Sequence, residues 1–413
     1  MGIQPPLAPG KTGIRHSLFI FTLMSMLLPL INCGGSSGDG PVEVYWQPEK
    51  VGSNPDATFM PDHFASYFDF FIAEDSSDPI YYKIEGEFPR ARYFSMNLYD
   101  TRGASLGAIS DFEIDPDPGH INPFRPGADR EAADRSYTLW VVPQGSRNLV
   151  AGQRGQVLEV PPNSGTPKII NRVYLADPGL PGSGGPLPKI LAYRASGGPG
   201  TSGNNPLAGG LAILRALEDA MDELRRFPAT GSISFYNVSD GGGLFPTAHN
   251  RYLYSRFDPA AHGEVAVIRF RLPKFPDTRF AGADLTGQEE IRYASFCMQN
   301  MDSTGTPSCL ADDRMIPDAS GMVTLVLADA DVRRSRAEQG FQYMDWGSRA
   351  PAALIRQMLP REGFSGSYAL VPPPSGPTRT SGKQGERFVG DYAPTGSYCS
   401  KAAFLASGPA CAQ

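Results

Sequence analysis

The chain is short of the residues that usually mark chemistry. It has 413 residues but five histidines, and His63, His120, His249 and His262 stand alone in turn-like contexts, without the His-x-His and carboxylate of a metal-binding β-barrel. The pair His63 and His249, each ahead of a strand, is the one combination that could converge. Gly182-Ser183-Gly184 and Gly363-Phe364-Ser365-Gly366 stop short of Gly-x-Ser-x-Gly and neither joins a strand to a helix, so no nucleophile elbow is expected. The glycine runs at 197–203 and 241–243 lack the Lys-Ser/Thr of a phosphate loop. Charged residues make up 19% with a net charge of -6, and the absence of any basic run argues against nucleic acid as a partner. There are five cysteines and no Cys-x-x-Cys, which speaks against a thiolate metal site. No metal or cofactor is expected, and no constellation names a reaction.

What is present is a signal for export. Lys11, Arg15 and His16 precede the apolar run Leu18 to Ile31, which is too short to span a bilayer and fits a secretory leader. Leu30-Ile31-Asn32-Cys33 resembles the lipobox of bacterial lipoproteins, which implies cleavage after residue 32, acylation of Cys33 and a membrane lipid as partner. Asn32 departs from the small residue usual in that motif. Residues 33–42 read as a polar tether; the lack of Asp after Cys33 implies, by the same resemblance, the outer membrane, facing the periplasm or the cell surface. Past Cys33 no apolar run is long enough for a second span. The other four cysteines suit an oxidising compartment and permit three pairings, of which local spacing favours Cys297 with Cys309 and Cys399 with Cys411.

With 46 glycines and 39 prolines, turn-rich β structure is favoured over long helices, and an internal repeat organises it. Arg92-Tyr93-Phe94-Ser95-Met96-Asn97-Leu98-Tyr99-Asp100 is echoed two hundred positions later by Arg292-Tyr293-Ala294-Ser295-Phe296-Cys297-Met298-Gln299-Asn300. Each copy follows a strand ending in an apolar residue and Pro (Tyr81 to Pro89, Val265 to Pro273) and precedes an acidic segment and a further strand. The second half carries an insertion, Lys274 to Glu290. The expected fold is mainly β: two tandem jelly-roll-like β-sandwich modules, 43–206 and 229–371, joined by an amphipathic helix at 207–228 that packs across their junction, with a Pro/Gly-rich tail at 372–413 lying on the surface. Leu354, Ile355, Met358 and Leu359 suggest a short helix.

In the first copy Phe94, Met96 and Leu98 alternate with Tyr93, Ser95, Asn97 and Tyr99, the pattern of a strand with one core face and one polar, aromatic face. That face either satisfies hydrogen bonds in a second layer or lines a ligand cavity inside the jelly roll. The ligand-binding candidates are Asp56, Arg92, Tyr93, Ser95, Asn97, Asn250, Arg292, Tyr293 and Ser295. On an extended strand Asp111, Glu113, Asp115 and Asp117 would share a face, with Asp312, Asp313 and Asp318 in the matching place, and such carboxylates serve Ca²⁺ binding or a glycosidase's acid and base; Pro116 and Pro118 break a strand there and favour a solvated turn instead.

Asn54-Pro55-Asp56-Ala57-Thr58, Arg92-Tyr93-x-Ser95-x-Asn97-x-Tyr99, Asn122-Pro123-Phe124 ahead of Tyr137-Thr138-Leu139-Trp140-Val141, and Gly184-Gly185-Pro186-Leu187-Pro188 together resemble exported bacterial proteins of the unknown-function families numbered 1254 and 1214. The resemblance spans most of the mature chain and implies a β-rich, jelly-roll-like architecture, with no established activity or catalytic residue. The expected function is that of a lipid-anchored envelope protein binding a small molecule, a glycan or an envelope component; the alternative is an envelope hydrolase acting on a carbohydrate or ester at the groove between the modules.

Overall fold

A computed structural model describes residues 40–54, 57–203, 206–238, 245–280, 282–335, 340–373 and 384–412. In the first half the strands are β1 (Val42–Val44), β2 (Lys50–Val51), β3 (Ala65–Phe71), β4 (Ile80–Glu87), β5 (Ala91–Tyr99), β6 (Ser105–Ser110), β7 (Ser136–Pro143), β8 (Gln156–Val160), β9 (Lys168–Ala176) and β10 (Lys189–Arg194). The second half repeats them in order: β11 (Ser232–Ser234), β12 (Tyr236–Asn237), β13 (Asn250–Arg256), β14 (Val265–Arg271), β15 (Tyr293–Asn300), β16 (Ser308–Ala311), β17 (Met322–Ala328), β18 (Gln342–Asp345), β19 (Pro351–Met358) and β20 (Thr395–Cys399).

The first sandwich pairs a sheet in the order β1-β10-β4-β7-β8 with one in the order β2-β3-β9-β5-β6, and the second has β11-β20-β14-β17-β18 with β12-β13-β19-β15-β16. Adding ten to each strand number converts one half into the other, down to the parallel contacts of β7 with β8 and β17 with β18. In each half the antiparallel core of eight strands has the double Greek-key order of a jelly roll. Tyr93 lies opposite Tyr174 and Tyr293 opposite Met358 in matching registers, so the sequence echo is a structural one.

The alternation in β5 does what the pleat requires. Phe94, Met96 and Leu98 enter the first sandwich core with Ile84, Leu139, Ile169 and Val173. Phe296 and Met298 do the same in the second with Ile268, Leu325, Leu253 and Ile355. The opposite, polar faces of β5 and β15 point outward from their own sandwiches and toward each other, as the 5.4 Å approach of the Tyr174 and Tyr293 rings shows. The polar residues therefore do not line the inside of a jelly roll; they form a layer between two of them.

One helix, α1 (Pro206–Arg225), joins the halves. Met221 and Leu224 pack in one cluster with Met60 of the first half and Tyr254, Met301 and Leu354 of the second. The amphipathic stripe thus seals the junction. Arg256 donates to the carbonyls of Arg225 and Phe227, satisfying the helix's last turn.

Two expectations fail and a third holds in part. The apolar run belongs to β19 as far as Met358, a strand of eight residues all buried, because a central strand covered on both faces loses the alternation that separates it from a helix. The tail beyond 372 does more than coat the surface: β20 pairs with both β11 and β14, so the second sandwich is completed only near the C-terminus. The Asp111 to Asp117 run does open with a turn, the 3₁₀ turn Asp111–Glu113, repeated at Asp312–Arg314, but both leading aspartates are fully buried rather than solvated.

The disulfides join Cys297 to Cys309 and Cys399 to Cys411, as local spacing suggested and as suits an exported protein. Among the described residues no helix is long and apolar enough to cross a membrane.

Candidate functional site

The layer between the sandwiches is held by reciprocal contacts. Arg92 of the first half donates to Asp312, and through Nη2 to Asp313 at 3.2 Å. Arg292 of the second half donates to both oxygens of Asp111 at 3.2 Å. Each aspartate also fixes its own half: Asp111 accepts from the Phe94 and Phe112 N–H groups, Asp312 from those of Ala294 and Asp313. Burial pushes both carboxyls up to about 6, and the opposing pull of the arginines and backbone donors does not cancel it. The insertion after β14 closes over this network. The Phe275 ring lies 5.2 Å from the Arg92 guanidinium, Thr278 accepts from its Nε, and Leu285 is buried in the first sandwich's core.

The loops ahead of β3 and β13 are exchanged in the same way. Asp62, fully buried, accepts from the Tyr293 hydroxyl at 2.9 Å and the Ser295 hydroxyl at 2.6 Å. Arg356 donates to the Met60 carbonyl at 2.5 Å and Arg172 to that of Phe245 at 2.5 Å. Met60 and Phe245 both take a left-handed backbone, φ 53° and 51°, which aims each carbonyl across the junction. Asp62 lies within reach of the sulfurs of Cys297 and Cys309, but these are bonded to each other and offer no thiolate to a metal.

Of the sequence candidates, Arg92, Tyr93, Ser95, Asn97, Arg292, Tyr293 and Ser295 all meet in this layer. Asn97 donates to Ser95 and accepts from Thr247. Asn250 is 2% exposed and neither atom of its carboxamide has a partner. Asp56 lies outside the described residues, as does Cys33. Asp62, Arg172, Thr247 and Arg356 were not singled out by the sequence. Only the alignment of β9 with β19 would have exposed the arginine pair, and the helical reading of 354–359 hid it.

His63 and His249 do not converge: His63 Nε2 lies 2.6 Å from the Thr306 carbonyl, whereas His249 Nδ1 is 2.8 Å from the Tyr93 hydroxyl. Burial raises the Tyr93 phenol far out of the neutral range and lowers His249 below its ordinary value, with Glu113 opposing. A protonated phenol beside a neutral imidazole donates to Nδ1. The imidazole proton then sits on Nε2, 3.5 Å from Glu113. Both ring nitrogens are thus engaged. On its other side His249 borders an open groove of about 530 Å³ lined also by Arg251, Leu359, Arg361, Phe364 and Leu370.

No family model and no curated protein matches the chain. Among solved structures it is similar to an uncharacterised protein from Burkholderia cenocepacia, with 14% identity over 76% of this chain and 78% of that one and a TM-score of 0.49. It is also similar to the VPA0106 protein from Vibrio parahaemolyticus, with 12% identity over 73% and 86% and a TM-score of 0.38. At these identities neither likeness bears on function.

Proposed function

We propose that this chain is an exported, lipid-anchored envelope protein that binds a small molecule or glycan in the groove beside His249. The observation that carries the reading is the state of the junction's titratable groups. Asp62, Asp111 and Asp312 are fully buried and committed to hydrogen bonds, and His249 has a partner at each nitrogen. A hydrolase needs a carboxylate or imidazole with a free, accessible lone pair or proton. The groove offers an apolar wall, Leu359, Phe364 and Leu370, with Arg251, Arg361 and the exposed Glu362 beside it, which is the make-up of a binding cleft with a few polar groups at its rim. The alternative, an ester or glycoside hydrolase at the same groove, draws on His249, the one imidazole that lines it, and on the exposed carboxylate of Glu362.

The test is native mass spectrometry of protein exposed to a cell-envelope extract. Retention of a small molecule or glycan by the wild type and its loss in Leu370→Arg, at a groove residue 52% exposed, is the expected result. Equal retention by both chains removes the groove from the proposal. Turnover of ester or glycoside arrays that disappears in His249→Ala would establish the hydrolase instead.

A further inference from the structure

The internal repeat allows one half to serve as the control for the other. The Leu175 N–H bonds the Phe64 carbonyl and the Leu359 N–H bonds that of His249. Ala65 N–H bonds the Asp62 carbonyl and Asn250 N–H that of Thr247. Asp62 N–H meets the Tyr67 hydroxyl and Thr247 N–H the Tyr252 hydroxyl. Asp62 and Thr247 are therefore equivalent positions, and so are the arginines that reach the neighbouring loops, Arg356 and Arg172.

The equivalence breaks at the charge. Arg356 lies 3.7 Å from the Asp62 carboxylate. For Arg172, 6% exposed, the position equivalent to that aspartate is occupied by Thr247, which carries no charge. Its Nη2 donates to the Tyr99 hydroxyl at 2.8 Å and to the Phe245 carbonyl at 2.5 Å; its Nε has no partner. The rings of Tyr67 and Tyr99 lie 5.2 and 5.6 Å away. Asp69, on the same outward face, is already shared by Lys168 at 3.1 Å and Lys50 at 2.5 Å. Among the described residues no carboxylate forms an ion pair with Arg172. A buried water could satisfy Nε but could not balance the charge, and a buried unpaired charge is among the costliest features a fold can carry.

We infer that Arg172 holds a small carboxylate anion at the junction of the two sandwiches, in the role that Asp62 plays for Arg356. One oxygen of a carboxylate can accept from Nε, the Arg172 N–H left without a partner, while its charge balances the guanidinium. The inference does not rest on ligand binding in the groove.

Formate is the probe. Thermal unfolding is followed in rising sodium formate, with ionic strength held constant by a bulky sulfonate salt. The wild-type midpoint should rise on the order of 2 °C for each tenfold increase in formate beyond its dissociation constant. Thr247→Asp, which supplies the missing carboxylate from the chain itself, should abolish that response, as should Arg172→Met. If Arg172→Met does not fold, Thr247→Asp still decides. An unmoved wild-type midpoint overturns the inference, because the tyrosine rings and the Phe245 carbonyl would then suffice for Arg172. An equal rise in wild type and Thr247→Asp overturns it by placing formate elsewhere. A response to chloride and none to formate overturns the carboxylate assignment.

Discussion

Arg292 and Asp111 show what a buried ion pair does at a junction. Burial costs the Asp111 carboxylate more than Arg292 and two N–H donors return, which is why its pKa stands near 6. Removing the cation alone leaves an uncompensated acid, so Arg292→Met should destabilise the fold by about 3–5 kcal/mol, read from urea unfolding at neutral pH. The sign of the pH dependence follows from the same numbers. Asp111 and Asp312, both near 6 when folded, hold protons that the unfolded chain has lost between roughly pH 4 and 6. Their contribution is present below that window and lost as pH rises through it, and Asp111→Asn should flatten the slope there. Asp69 behaves oppositely. Burial alone would raise it, but Lys168 and Lys50 overcome that and hold it at about 2. Its contribution is present above roughly pH 4 and lost as pH falls toward 2, and Asp69→Asn should remove that acid limb.

Among the elements, β20 carries the largest consequence for so short a segment. It lies between β11 and β14, and the helix after it, Lys401–Ser407, buries Phe404 against Val326, Val332 and Phe341. A chain ending before Thr395 should lose the folded second sandwich, seen as loss of its slow-exchanging amides. Opening the Cys399 to Cys411 bridge by a double Ser replacement should cost about 2–4 kcal/mol in chemical unfolding. The insertion at 274–290 is a loop in sequence and a brace in space, since its Leu285 packs in the first sandwich.

At the scale of the whole molecule, the repeat generates a two-fold-like junction in which each half lends a loop and an arginine to the other. Ordering of these buried polar groups requires both partners, so the described body should unfold in one transition, with calorimetric and van't Hoff enthalpies in agreement. Anchoring belongs to the same scale. Labelled palmitate should enter the wild type and not Cys33→Ala, and incorporation into that variant would remove the lipid anchor from the proposal.

The sequence by itself determined most of the sandwich strands and their repetition and favoured the disulfide pairs, because alternation with period two, Pro and Gly punctuation and cysteine spacing are local properties that survive without a fold. It could not decide where the polar face of β5 points. Whether Tyr93, Ser95 and Asn97 meet a ligand, solvent or a second sheet depends on a partner two hundred residues away. It also concealed β19 and β20, one because burial on both faces erases alternation, the other because a strand of Thr, Gly and Ser owes its place to its neighbours. The charge on Arg172 is left unmatched by the tertiary structure alone, since only in the folded halves, laid over each other, does Thr247 stand where its twin has an aspartate.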